Sequence, residues 1–222
     1  MSGEQAEKQR TAWVWPALAW STISGVKARL AGTGPEAPTH AGDIELSSMT
    51  REFFAWWLEA RGASPMPEPD DVSPKALVEL LPYFRLLCWE SETSLVFRIF
   101  GSALVETTGF DLTGFCTFGG VDYEGKADDI ARLKLMHSHP CGLLTLRELR
   151  GPDGVPYLCE LINLPVSGGV DGKNRIAGTV VTRQAVDAAD LDFKLSPPLT
   201  LRRAVFIDLG FGVPDEAARL SV

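Results

Sequence analysis

The order in which strand-like and helix-like runs follow one another is the strongest constraint on what this chain can fold into. Two strand runs, residues 83–90 and 95–101, are joined by the turn 91–94 and read as a hairpin. A glycine-broken stretch follows, with Gly at positions 101, 109, 114, 119 and 120, too many for one long helix. Residues 126–137 then show helical spacing with acids early and bases late, as the helix dipole prefers, and His139-Pro140 ends the run. Three further strand runs, 143–149, 155–166 and 175–182, are separated by turn-like segments at 151–154 and 167–172. Alternating strand–helix units are absent, which argues against a doubly wound parallel sheet. The pattern predicts an α+β fold with one antiparallel sheet covered on one face by helices.

Composition bounds the function classes. The chain has 222 residues and a formal charge of −8, which disfavours unspecific binding to nucleic acid or to an anionic membrane surface. The basic residues Arg147, Arg150, Arg183, Arg202 and Arg203 are scattered without aromatic interleaving and read as solvated surface. Cys88, Cys116, Cys141 and Cys159 form no C-x-x-C pair, so a zinc ribbon is unsupported. Reduced thiols in a cytoplasmic protein are the expectation.

Residues 1–48 read as an N-terminal extension. An apolar stretch at 13–20 resembles a signal peptide in outline, but Pro16 interrupts it and it is too short to span a bilayer. Residues 31–43 have linker composition. The ordered body is expected from Met49, with Thr50 capping a helix that Gly62 closes. In that helix Phe53, Phe54, Trp56, Trp57 and Leu58 sweep about 200° at 100° per residue, against little more than 100° for one packing face. A second surface is therefore expected, and the same helix of another copy is the simplest one, giving a homodimer through residues 50–61; for a monomeric chain the cover falls to the 1–48 extension, with Trp13, Trp15 and Trp20 as candidates. Trp57 falls near the middle of the arc and Trp56 at its edge. Ser73-Pro74 opens a short predicted helix that Pro82 ends. Near the C-terminus, residues 204–207 have the character of a further strand.

Several short motifs, taken in order, resemble the PAS domain, in particular the small single-PAS-domain proteins of proteobacteria. They are the aromatic helix ending in Leu58-Glu-Ala-Arg61-Gly62, the turn Val72-Ser-Pro74-Lys-Ala-Leu77, and the strand beginning Leu81-Pro82 and running through Leu86-Leu87. The partner strand Phe97-Arg98-Ile-Phe-Gly101 and the segment Gly109-Phe-Asp-Leu-Thr-Gly114 complete the set. The resemblance covers residues 50–184. It divides the chain into an extension (1–48), a PAS-like domain (49–184) and a tail (185–222).

The resemblance implies a five-stranded antiparallel sheet enclosing a small cavity, in a sensory or protein-interaction module that is not an enzyme. No output domain is recognised within these residues. The implied partner is thus a separate signalling protein such as a histidine kinase or a cyclic-dinucleotide enzyme. The alternatives are a haem-binding PAS sensor, and a small-molecule enzyme on an α+β cavity fold.

Candidate chemistry follows residue by residue. Strand alternation and the apolar stripe of the 126–137 helix place Phe97, Ile99, Leu133, Leu146, Tyr157 and Val180 toward the cavity, with Phe110 and Phe118 further aromatics able to line it. His137, with His139 beside it, is the position from which a haem iron could take an axial imidazole, although both also suit a helix end that favours positive charge. Flavin-adduct domains of this family place a reactive cysteine three residues after a glycine. Cys116 stands two after Gly114 and lacks the accompanying Asn, Arg and Gln. No H-E-x-x-H occurs, and the 168–174 segment lacks the hydroxyl residue of a phosphate loop and reads as a turn. Cys141 and His139 stand too close in sequence, without an orienting partner, to read as a nucleophile pair.

Overall fold

A computed structural model of the chain describes residues 37–73, 75–119, 122–150, 156–185 and 199–222. The apolar stretch at 13–20 and the turn at 151–154 lie outside the described residues. Among the described residues, eight strands and four α-helices follow in the order β1 (His40–Ala41), β2 (Ile44–Glu45), α1 (Ser48–Arg61), β3 (Phe84–Trp89), β4 (Leu95–Phe100), α2 (Ser102–Thr108), α3 (Lys126–Ser138), β5 (Cys141–Arg150), β6 (Pro156–Val166), β7 (Arg175–Ala185), β8 (Leu199–Asp208) and α4 (Glu216–Leu220). The first two strands form a small hairpin. The other six make one antiparallel sheet in the order β4-β3-β7-β6-β5-β8.

The fold is α+β, as the element order predicts, but the sheet has six strands where five were expected. The sixth is β8, which pairs antiparallel with β5 from Cys141↔Asp208 to Leu149↔Leu199. What reads as a tail is thus an edge of the sheet. Its free side is met at one point, where Ala204 and Val222 exchange backbone N–H···O bonds of 3.1 Å in both directions. The opposite edge is covered: the loop after α2 bonds β4 through Phe97 N to Phe115 O, Gly114 N to Phe97 O and Thr117 N to Leu95 O. The β4 edge thus offers no open row of donors and acceptors.

The sheet is covered on both faces instead of one. On β6, Ile162 and Leu164 join the cluster around α1, whereas Leu161 and Asn163 face α3 across a cavity. On β5, Leu144 and Leu146 turn to α1, and Leu143, Thr145 and Arg147 to the cavity. Helix α1 therefore lies behind the sheet. Phe53 and Trp57 are fully buried, and Phe54, Trp56 and Leu58 retain 2, 9 and 7% of their exposure. The second surface that its wide apolar arc demands is supplied within the chain, by the β1–β2 hairpin (Ala41, Ile44) with Leu46 and by Leu77 and Leu80. This removes the ground for a homodimer through residues 50–61. It also moves the start of the packed body upstream of Met49, to a hairpin in what reads as linker.

Ser47, not Thr50, caps α1, its side chain accepting from the Thr50 N–H. The cap is held by Glu160, a fully buried carboxylate on β6 that accepts from Ser47 Oγ at 2.9 Å and from Arg183 Nε at 2.7 Å. Residues 75–80 form turns and Leu81–Tyr83 a single 3-10 turn, so the helix predicted from Ser73 is not formed.

Three bulges interrupt the ladders, and each leaves an arginine without a cross-strand partner: Arg98 on β4, Arg183 on β7 and Arg202 on β8. Each is paired instead with a carboxylate, of Glu90, Glu160 and Glu148 respectively. A bulge shifts side chains to the other face of their strand, which bears directly on the cavity below.

Candidate functional site

Between α3 and the concave face of the sheet lies a cavity of about 190 Å³. Its apolar wall is Phe97 from β4, Phe118 from the loop after α2, Leu133 from α3, Leu143 from β5 and Leu161 from β6. Its polar wall is rich in charge. Arg85 from β3, Arg132 from α3 and Arg147 from β5 all reach it, together with Asp129, Tyr123 and Asn163. Three guanidinium groups thus meet one carboxylate, an excess of two positive charges inside a chain whose formal charge is −8.

Two of the arginines share that carboxylate. Arg132 Nη1 donates to Asp129 Oδ1 at 2.9 Å and Arg147 Nη2 to the same oxygen at 2.6 Å, while the Tyr123 hydroxyl donates to Oδ2 at 2.9 Å. Asp129 and Arg132 are one helical turn apart on α3, so the helix itself sets their geometry. Arg132 Nε also donates to the Leu220 carbonyl at 2.7 Å and ties the cavity wall to α4. Burial, with the Asp129 carboxylate beside it, pushes the Tyr123 phenol above its ordinary value, so Tyr123 remains a neutral donor.

Arg85 stands apart. Its Nη2 donates to Asn163 Oδ1 at 2.5 Å, crossing β7 at Gly178, which pairs with Arg85 in the sheet. Asn163 is oriented by its own bond to the Leu143 carbonyl at 3.2 Å. Gly178 is needed there: a Cβ on it would lie 2.0 Å from the Ile162 carbonyl oxygen. Arg85 is 9% exposed, its Nε has no hydrogen-bond partner, and no carboxylate among the described residues pairs with it. Burial first, and then the like charge of Arg147, lowers its pKa from 12.5 to about 10, so it stays charged at neutral pH.

Of the residues that the sequence places toward the cavity, Phe97, Phe118 and Leu133 line it. Ile99 and Leu146 do not. Arg98 is the bulged residue between Phe97 and Ile99, so Ile99 packs on the α1 side instead. Leu146 belongs to the α1 cluster because β5 is apolar on both faces and its alternation carries no directional information. Tyr157 shares the face of Leu161 but sits four residues nearer the strand's start, roughly 13 Å away, outside the lining. Val180 pairs with Leu161 yet is also outside it.

His137 lies beyond the cavity, with Nε2 2.8 Å from the Arg175 carbonyl at the start of β7. His139 Nε2 meets the Phe211 and Gly212 carbonyls, and His40 is in the β1–β2 hairpin. No histidine or cysteine lines the cavity, so its residues offer a haem no axial imidazole or thiolate. Cys116 bridges to Val96 outside the lining, and all four cysteines are free thiols. Burial pushes Cys141 up to about 12 and Cys159 up to about 11, values of inert packing residues. Among the described residues no three metal-ligating side chains converge.

Burial also holds His137 below its ordinary value, so the folded chain keeps it neutral whereas the unfolded chain protonates it near pH 6.5. Its contribution to stability is therefore present above that pH and is lost as pH falls through the lower, folded value. Urea midpoints at pH 7.5 and 5.5 should differ less for His137→Gln than for the unaltered chain. Equal pH dependence would show that His137 is hydrated in the fold.

The polar residues of the cavity are those that sequence reading passes over, Arg147 among them as supposed surface. Only Arg85 leaves a trace, as a charge in the middle of an apolar strand run.

An antiparallel sheet with a glycine-broken helical segment and one longer helix closing a small cavity is the α+β arrangement that the family resemblance implies. The family profile described as PAS domain matches residues 46–181, more than half of the chain, and the chain belongs to the PAS-domain family. No curated protein and no solved structure is similar enough to count as a match. Among the described residues no helix is long and apolar enough to cross a membrane.

Proposed function

We propose that this chain is a sensory module of the small single-PAS kind, which takes up a small molecule between α3 and the sheet and reports its presence to a separate signalling protein in the cytoplasm. The observation that supports this reading is the cavity itself. A core that served packing alone would not carry three arginines against one carboxylate, because buried charge without a partner is costly. The volume of about 190 Å³ lies below the roughly 300–1,000 Å³ of pockets for drug-sized ligands, so the ligand is smaller than a haem or a flavin. Histidine kinases, cyclic-dinucleotide enzymes and polarity factors are the partner classes that the family resemblance brings.

A route outward is built into the cavity wall. Arg132 holds both Asp129 and the Leu220 carbonyl, and the chain end after Leu220 pairs with β8 at Ala204. An occupant that draws on Asp129 or Arg132 alters the anchorage of α4 and so links the cavity to the outer surface.

The test is a backbone amide spectrum of labelled protein mixed with the small-molecule fraction of a cell extract. Shifts at Leu133, Thr145 and Leu161, extending to Leu220, are the expected result. A spectrum that no fraction perturbs would overturn the reading.

A further inference from the structure

We infer that the cavity takes a small organic acid, its oxyanionic end held by Arg85 and its carbon body lying against Phe97, Phe118 and Leu133. The inference rests on the sensory reading and adds the chemistry of what is sensed.

Charge carries it first. Asp129 answers one of the guanidinium groups it touches, and nothing described answers Arg85. A guanidinium offers five N–H donors in a planar fork, of which the structure shows one taken, by Asn163. The rest of that fork belongs to a side chain more than nine-tenths buried on the cavity wall. A fork of this kind matches the paired oxygens of a carboxylate or a phosphate. Asn163 fixes the guanidinium on one side, so it is oriented before any ligand arrives.

Shape and polarity narrow the class. The opposite wall is aromatic and aliphatic, so the occupant has an apolar part as well as a charged one. A cavity of about 150 Å³ accommodates a benzene ring in another protein. The present volume of about 190 Å³ therefore suits a ring, or a short chain, carrying one acidic group. Inorganic phosphate supplies the oxyanion without the body, and a neutral amide supplies the body without the charge.

The experiment titrates the full chain with benzoate, benzamide and inorganic phosphate at constant ionic strength, following the amides of Leu133, Thr145 and Leu161. Extract fractions retained by an anion exchanger and those that flow through are compared alongside. Benzoate, or failing it a retained fraction, should shift these amides, with benzamide binding at least tenfold more weakly. Arg85→Gln should lower the affinity for the acid at least tenfold. Should that variant fail to fold, the benzoate–benzamide comparison on the unaltered chain decides alone. Equal binding of acid and amide, or activity confined to the flow-through, overturns the organic-acid inference and leaves the sensory reading intact. Binding of phosphate alone overturns the carbon-body part and retains the oxyanion site. If nothing binds from any source, both readings fail.

Discussion

Replacing Asp129 by alanine is expected to destabilise the fold by about 3–5 kcal/mol, the range for removing one partner from a buried ion pair. The side chains involved justify that range: Arg132, Asp129 and Arg147 retain only 7, 7 and 13% of their side-chain exposure. Two guanidinium groups would be left facing each other with Arg85 nearby, and the excess in the cavity would rise to three positive charges. Tyr123 would lose its acceptor as well. Urea unfolding measures the loss directly, and sulfate should restore part of it by occupying the cationic cavity. A loss under about 1 kcal/mol, the ordinary value for an exposed pair, would mean that water already fills the space between these groups.

Trp57→Ala carries the second large effect, about 3–5 kcal/mol for an aromatic side chain truncated in a core. Trp57 has no exposed surface, packs edge-on to Phe54 with ring centres 6.4 Å apart, and donates Nε1–H to the Pro165 carbonyl at 2.9 Å. The substitution opens a cavity and orphans that carbonyl. Trp56 belongs to the same buried arc, stacked on Phe53 at 5.5 Å. Trp56→Glu should therefore unfold or strongly destabilise the chain, where a dimer contact would have predicted an intact fold with weakened self-association. Circular dichroism melts of the two variants settle which applies: a fully folded Trp56→Glu protein would contradict the burial described here.

The element order, the β3–β4 hairpin, the long helix after the glycine-broken segment and the three closing strands were all legible in the residues. They were legible because turn chemistry and helical spacing are local. The directions of side chains were not. Ile99 left the predicted face because of a bulge at Arg98, and a bulge has no sequence mark beyond a residue type that any exposed strand position tolerates. Leu146 was ambiguous because Leu143, Leu144 and Leu146 are all buried, so alternation on β5 is lost. The width of the α1 arc was read correctly as needing two surfaces. That the second is a hairpin at residues 40–45 depends on a contact between segments that look unrelated in the chain.

The site was the least legible part. Arg85, Asp129, Arg132, Arg147 and Asn163 come from four elements, and each alone reads as an ordinary polar residue. Their meaning arises only when β3, β5, β6 and α3 bring them to one cavity. His137, which helix-end position made conspicuous, lies outside it. Arg85 was the one available hint, since a strand covered on both faces has little room for a charge that serves only solubility.

Occupancy of the space between α3 and the sheet by a small organic acid held against Arg85 can be seen crystallographically. A crystal structure of the full chain soaked with benzoate tests it most directly. Density is expected in the cavity, with both carboxylate oxygens within hydrogen-bond distance of the Arg85 guanidinium and the ring against Phe97, Phe118 and Leu133. Only water beside Arg85, with benzoate confined to the outer surface or nowhere in the crystal, would contradict it.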